Sequence, residues 1–212
     1  MVDKQNFGPL FYPESVAVVG ASGDPRKMGY QCVKSLVEGG FRGKIYPVNP
    51  KLSQILGIKA YPSIKSIPGR IDLAMVIVPA KHVPSTMREC AEKGVKGVVI
   101  ITGGFRESGE PGKKLEDEIL AIGREKGIKI IGPNTFGFLN LHANLNASFT
   151  PTLGRLRKGN IALISQSGGL CHIIGYGAMD GGVGFSKIVG LGNRSNVEFR
   201  DMLEYLEKDP ET

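Results

Sequence analysis

The stretch Val16–Gly29, VAVVGASGDPRKMG, decides how the rest of the chain is read. Four apolar residues run into a glycine turn, and the turn runs into basic residues ahead of a segment with helical spacing. A strand, a glycine turn and a helix start present unpaired N–H groups and the positive end of a helix dipole, a geometry that attracts phosphate. The dinucleotide fingerprint places its glycines as GxGxxG and ends the second strand on Asp or Glu, which accepts hydrogen bonds from the ribose hydroxyls. Here Gly20 and Gly23 are spaced GxxG, Gly29 comes later, and the second strand ends in Pro47, Val48, Asn49, Pro50 and Lys51. A carboxylate there repels a phosphorylated ribose, whereas Lys51, with Arg26 and Lys27 at the turn, attracts one. NAD is therefore disfavoured, and NADP and coenzyme A both remain open.

Outward from this turn the pattern is α/β. The apolar runs SVAVVGA, KIYPVNP, LAMVIVP, GVVIITG and KIIGPN predict parallel strands joined by crossover helices. The spacing predicts a helix over YQCVKSLVEGG with Cys32, Leu36 and Val37 on one face. A second begins near Pro84, and a third spans PGKKLEDEILAIGREKG with Leu115, Ile119, Leu120 and Ile122 on its apolar side. Residues 141–158, low in periodicity and containing Pro, Gly and Asn, are expected to be an interdomain linker. GNIALISQ, SGGLCHIIGYGAM, FSKIVGLG and NVEFRDMLEYL then repeat the strand and helix rhythm. Two such units cannot cover both faces of a parallel sheet, so the second domain is expected to be incomplete.

The bulk numbers narrow the function classes. The 212 residues are 41% hydrophobic and 22% charged, and the net charge is +7. The basic residues are scattered and not interleaved with aromatics, which argues against nucleic acid and for a small phosphorylated ligand. Cys32, Cys90 and Cys171 lie far apart with no CxxC, so neither a disulfide framework nor a zinc site is expected. No apolar stretch is long enough to span a bilayer, and the opening MVDKQNFGPL lacks the apolar core of a signal peptide, so the expected location is cytoplasmic.

The motifs VAVVGASGDPRKMG, IYPVNPK, MVIVPA, VVIITGGFRE, IIGPNTFGFLN, ALISQSGGL and LEYLEKDPET, in this order and spacing, resemble the NDP-forming acyl-CoA synthetases. The pattern is most similar to the alpha subunits of ADP-forming acetate-CoA ligases and more distantly to those of succinyl-CoA synthetases. The resemblance covers essentially the whole chain and selects coenzyme A over NADP. It implies a Rossmann-like CoA-binding domain over 1–140 and, after the linker, the N-terminal part of a flavodoxin-like ligase domain over 159–212. Gly20, Ala21, Ser22, Pro25 and Lys27 would surround the phosphates or adenosine of CoA, with Asn49, Pro50 and Lys51 beside the nucleotide. Val78, Pro79 and Ala80, together with Ile101, Thr102 and Gly103, would line the path of the pantetheine arm, and Asn134 would sit near the thiol. Ser167, Gly168 and Gly169 would hold phosphate at a second helix start.

The family reaction joins an acid to CoA while a nucleoside triphosphate is made or broken, through an acyl phosphate and a phosphohistidine. The resemblance implies that Glu107 orients that histidine, which in the family follows the EKDPET-like segment and matches none of His82, His142 and His172. It further implies an ATP-grasp partner carrying ATP or ADP and Mg2+, a small acyl substrate, an oligomer, and inactivity of this chain alone. A CoA-binding regulatory module without ligase activity and an NADP-dependent oxidoreductase are the competing readings. No metal is expected on this chain.

Overall fold

The computed structural model describes residues 7–212; the first six positions, part of the opening segment read above, lie outside the described residues. In chain order the first half holds α1 (Gly8–Phe11), β1 (Ser15–Val19), α2 (Met28–Glu38), β2 (Lys44–Val48), β3 (Gln54–Ile55), β4 (Ile58–Lys59), β5 (Leu73–Val76), α3 (Val83–Glu92), β6 (Gly97–Ile100), α4 (Glu110–Lys126) and β7 (Lys129–Ile131). The second half holds β8 (Gly137–Asn140), β9 (Leu145–Ser148), β10 (Arg157–Ser165), α5 (Gly168–Gly181), β11 (Gly184–Gly190) and α6 (Phe199–Leu206).

The predicted parallel sheet is present, in the order β2-β1-β5-β6-β7. Its strands read as unbroken apolar runs because both faces are covered. Val16, Val18, Leu73, Met75 and Val99 join one core, whereas Ala17, Val19, Ala74, Val76, Val98 and Ile100 join the other. The second core is closed by α3 and α4 through Met87, Cys90 and Ile119. Pro47, which has no N–H for a ladder, sits in β2 at the sheet edge, where that lack is tolerated.

On α2 the inward residues are Gly29, Cys32, Val33, Ser35 and Leu36, while Val37 is 44% exposed. The expected face was thus displaced: the i, i+3, i+4 and i+7 series from Gly29 takes Val33 inward and leaves Val37 outside.

The segment 141–158 differs from the expected linker. Within it β9 pairs antiparallel with β8, β8 pairs antiparallel with β11, and β11 pairs parallel with β10, giving the second sheet, β10-β11-β8-β9. All four residues of β9 are buried. Leu145 and Ala147 enter the core shared with β1 and β5, whereas Ser148 Oγ donates to Asn146 Oδ1 at 2.6 Å and Asn146 Nδ2 donates to the Thr150 carbonyl at 3.0 Å. Buried polar residues that satisfy one another disguised this strand as polar loop.

The two sheets therefore share a core. Phe138, Val189, Leu191 and Met202 from the second half pack with Cys32, Leu36 and Met75 from the first. The opening segment adds to the seam: Phe11 stacks on Tyr205 with centroids 5.0 Å apart and meets Phe138 edge-on at 5.2 Å.

Candidate functional site

In a parallel sheet of this order the strand connections reverse direction between β1 and β5, and a crevice opens beyond the carboxyl ends of those strands. Gly20 occupies that point with φ of +92°, and a Cβ there would lie 2.4 Å from the carbonyl oxygen of Ile77. Gly29 serves the same approach from the helix side, where a Cβ would lie 2.0 Å from the Gly20 oxygen. The glycines that bring α2 against the turn are thus Gly20 and Gly29. Gly23, which the GxxG spacing had emphasised, is exposed and would meet only Leu52.

α2 begins at Met28 with Lys27 at its N-cap and no side-chain cap, leaving its first N–H groups for an outside acceptor. Asn49 braces this turn: its Nδ2 donates to the Ala21 carbonyl at 2.8 Å, and its Oδ1 accepts from the amides of Lys51 at 2.8 Å and Leu52 at 3.1 Å. Its part is to hold the β2 loop to the β1 turn. Ser22 Oγ accepts from the Asp24 amide at 3.0 Å, and Arg26 is occupied by both oxygens of Asp24. Pro25, Lys27, Pro50 and Lys51 are exposed around the turn, and Lys51 has no ion-pair partner among the described residues.

Further along the same edge lie Val78, Pro79 and Ala80 after β5, and Ile101, Thr102 and Gly103 after β6. Thr102 Oγ1 donates to the Val78 carbonyl at 2.7 Å, and the Thr102 carbonyl accepts from the Asn134 amide at 2.9 Å, tying three strand ends together. Asn134 has φ of +58° and follows the cis Gly132–Pro133 bond.

A cleft of about 580 Å³ joins the halves. Ile101, Gly103 and Asn134 line one side, Ser167, Gly168 and Gly169 another, with Met28, Phe136, Phe149, Gln166 and His172 between them. The structure thus brings Gly103, expected along the pantetheine path, Asn134, expected near the thiol, and Ser167, Gly168 and Gly169, expected to hold phosphate, into one space. Gly20, Ala21, Ser22, Pro25, Lys27, Asn49, Pro50 and Lys51 do not line it, and Met28 at the start of α2 is the lining residue next to them.

At the α5 start Ser167 is the N-cap, its Oγ accepting from the Leu170 amide at 3.3 Å, while its own amide donates to Ser165 Oγ at 3.1 Å. The amides of Gly168 and Gly169 have no partner among the described residues. His172 Nδ1 donates to the Gly168 carbonyl at 2.7 Å, so Nε2 accepts from Thr150 Oγ1, also at 2.7 Å. Both ring nitrogens are spent on holding the first turn of α5. His142 spends Nε2 on the Gly159 carbonyl at 2.9 Å, and His82 is exposed at the start of α3.

Glu107 stands at the rim. Its Oε1 accepts from the amides of Gly104 at 2.6 Å and Phe105 at 3.1 Å, and its Oε2 accepts from Asn193 Nδ2 at 2.6 Å. Burial works to raise its carboxyl, but the Asn193 and backbone donors outweigh it and hold the group below the usual glutamate value. The loop 190–194, GLGNR, is braced as well: a Cβ on Gly192 would lie 2.3 Å from the Pro133 oxygen, and the Asn193 amide donates to that oxygen at 2.8 Å.

Sequence reasoning assigned no individual role to Gln166, in ISQSGGL, or to Asn193, in the loop GLGNR that resembles a substrate-side loop, and it missed Glu116. For Glu116 a signal existed, since it falls in the buried series Gly112, Glu116, Ile119 and Gly123 of α4, where a carboxylate is out of place. The three cysteines are buried at separate places; burial pushes the Cys171 thiol up to about 11 and that of Cys90 up to about 12.

Unpartnered first amides at two helix starts, exposed lysines at the first and a cleft lined by Met28 of one and Ser167, Gly168 and Gly169 of the other fit a phosphorylated nucleotide carrying a long arm. The model of the CoA binding domain matches residues 14–140. The chain belongs to the CoA-binding-domain family. Residues 158–212 match the succinyl-CoA ligase like flavodoxin domain.

The alpha subunit of acetate–CoA ligase [ADP-forming] II from Pyrococcus furiosus is 50% identical over 197 residues, covering 93% of this chain and 42% of that protein. Acetate–CoA ligase [ADP-forming] II of Archaeoglobus fulgidus is 47% identical, covering 96% of this chain and 30% of that protein. Among solved structures, the dinucleotide-forming acetyl-coenzyme A synthetase 1 of Ca. Korarchaeum cryptofilum, in complex with phosphate and ADP, superposes with a TM-score of 0.93 at 39% identity, over 98% of this chain and 44% of that one. The chain spans less than half the length of each of these relatives. The resemblance to the NDP-forming acyl-CoA synthetases and the two-part α/β fold it implied are borne out. Among the described residues no helix is long and apolar enough to cross a membrane.

Proposed function

We propose that this chain is the CoA-binding portion of an ADP-forming acyl-CoA synthetase, working with an ATP-grasp module that carries the nucleotide and Mg2+ in the cytoplasm. The observation that carries this reading is the cleft itself. It reaches from Met28, the first residue of α2 beside the turn suited to a phosphorylated adenosine, to a second helix start whose two free amides suit a phosphoryl group. A module that only bound CoA would have no use for the second site. Bound CoA supplies the thiol that takes the acyl group.

The chain's own residues have distinct tasks. Lys27, Lys51 and the first amides of α2 bind the phosphates of the nucleotide end, with Gly20, Ala21, Ser22 and Pro25 shaping the turn and Asn49 and Pro50 shaping the loop beside it. Val78, Pro79, Ala80, Ile101, Thr102 and Gly103 guide the arm, and Asn134 orients its end. Ser167, Gly168 and Gly169 hold phosphate by oriented N–H groups that need no reorganisation as charge develops. Glu107 accepts an N–H from the phosphate-carrying imidazole, which in this reading comes from outside the described residues. His172 has committed both ring nitrogens and His142 its Nε2, and His82 stands at the start of α3.

Titration calorimetry of the 212-residue chain with CoA, dephospho-CoA and NADP tests the reading. CoA is expected to bind about tenfold more tightly than dephospho-CoA, the worth of one charge-assisted contact of about 1.4 kcal/mol. Tighter binding of NADP than of CoA overturns the reading. Steady-state thioester synthesis by this polypeptide without added chains overturns the need for a partner.

A further inference from the structure

Glu116 is a carboxylate with a side chain only 3% exposed, inside the first half of the molecule and away from the cleft lining. A charge so placed is retained only if donors surround it. Its Oε2 accepts from the Arg106 amide and from Asn193 Nδ2, each at 3.1 Å. Its Oε1 accepts from the Ser195 hydroxyl and pairs with Arg106 Nε at 3.3 Å. Four donors thus converge on it, two of them on the loop that follows β11 in the second half.

The decisive atom is Asn193 Nδ2. One amide nitrogen carries two hydrogens, and here they go to two carboxylates: Glu116 Oε2 and, at 2.6 Å, Glu107 Oε2. The opposite amide rotamer would aim an oxygen at both carboxylates, so Glu116 fixes which way Asn193 faces. Glu107 Oε1 is already taken by two backbone amides, so Asn193 alone sets the direction in which Oε2 keeps a lone pair open.

We infer that Glu116 is a positioning residue, which through Asn193 aims the Glu107 carboxylate and registers the 190–195 loop against the first domain. The inference rests on the reading of Glu107 as the acceptor for the reacting imidazole. A glutamine at 116 loses the charge and carries an NH2 group that only the Ser195 hydroxyl in this set can accept, so the hold on Asn193 weakens.

The test uses the chain itself, labelled for carbon and nitrogen NMR. In Glu116→Gln the Asn193 side-chain amide protons are expected to move upfield as their hydrogen bonds weaken. The Glu107 carboxyl carbon signal should move as well, because its Asn193 donor shifts, with CoA affinity changed less than twofold. Unchanged Asn193 and Glu107 signals in a folded Glu116→Gln variant would mean that Glu116 serves packing alone, and the inference falls. Should that variant not fold, Ser195→Ala removes one donor to Glu116 and is read by the same two signals. Glu107→Gln in the reconstituted ligase separates the underlying reading: full thioester synthesis there refutes the role of Glu107 while leaving the positioning result intact.

Discussion

Gly20 shows how a single residue's role changes once its surroundings are known. In a glycine turn that faces phosphate, a side chain is first thought of as an obstacle to the ligand, with the fold left intact. Instead the added Cβ would strike the Ile77 carbonyl oxygen of the neighbouring strand connection, at a φ of +92° that side chains seldom adopt. Gly20→Val should therefore destabilise the chain by about 2 kcal/mol or more, the range for a forced backbone outlier, as read from the urea midpoint. An unchanged midpoint would show that the turn can shift. Lys51→Ala is the cleaner probe of the ligand, since the residue is exposed and lacks an ion pair among the described residues. Ser167 tests the other helix start. Ser167→Ala removes the cap on Leu170 and should lower stability by about 1 kcal/mol, with CoA affinity unaltered. A fall in that affinity would mean that the two phosphate sites have been exchanged.

At the level of elements, β11 carries the least expected feature. Lys187 lies in the middle of this buried strand with no side-chain exposure, and its Nζ donates to Asp209 at 2.7 Å and Glu211 at 3.0 Å. The clamp fastens the residues after α6 to the second sheet. Burial acts to lower the ammonium, but the two carboxylates reverse this and raise it. Burial likewise acts to raise Asp209, and Lys187 and Thr212 bring it below the usual aspartate value. The Asp209 contribution is therefore complete above about pH 4, the unfolded value, and is lost as pH falls through the lower folded value. The Lys187 contribution is complete below about pH 10.4 and is lost as pH rises through the higher folded value. Lys187→Met leaves Asp209 buried without its cation and should cost about 3–5 kcal/mol, part of it regained in the double variant with Asp209→Asn. Thermal midpoints followed across pH would settle the matter, and a flat acid limb in the wild-type chain would contradict the clamp.

Over the whole molecule, the two sheets are joined by a common core, an aromatic seam and the Asn193 bridge. Phe138, Val189 and Met202 bury themselves against Cys32, Leu36 and Met75, so neither half closes its core alone. A single cooperative unfolding transition is expected, with equal calorimetric and van't Hoff enthalpies. Two resolved transitions would show that the halves are energetically separate. The same coupling places Gly103 and Asn134 opposite Gly168 and Gly169, because the cleft is bounded by both halves.

Local chemistry was enough to announce the parallel strands, the glycine turn and the absence of an acid at the end of β2. Alternation, helical spacing and charge are written in consecutive residues, and a sheet buried on both faces leaves continuous apolar runs. β9 stayed hidden because Asn146 and Ser148 are buried only by virtue of partners that satisfy them. The proposed work of Asn193 and Glu116 stayed hidden for the same reason, since a hydrogen bond across 77 positions has no local signature. The chain thus states which segments become strands and which turn suits phosphate. The meeting of two helix starts in one cleft, and the direction of the carboxylate beside it, depend on distances that exist only after the two sheets have closed on their shared core.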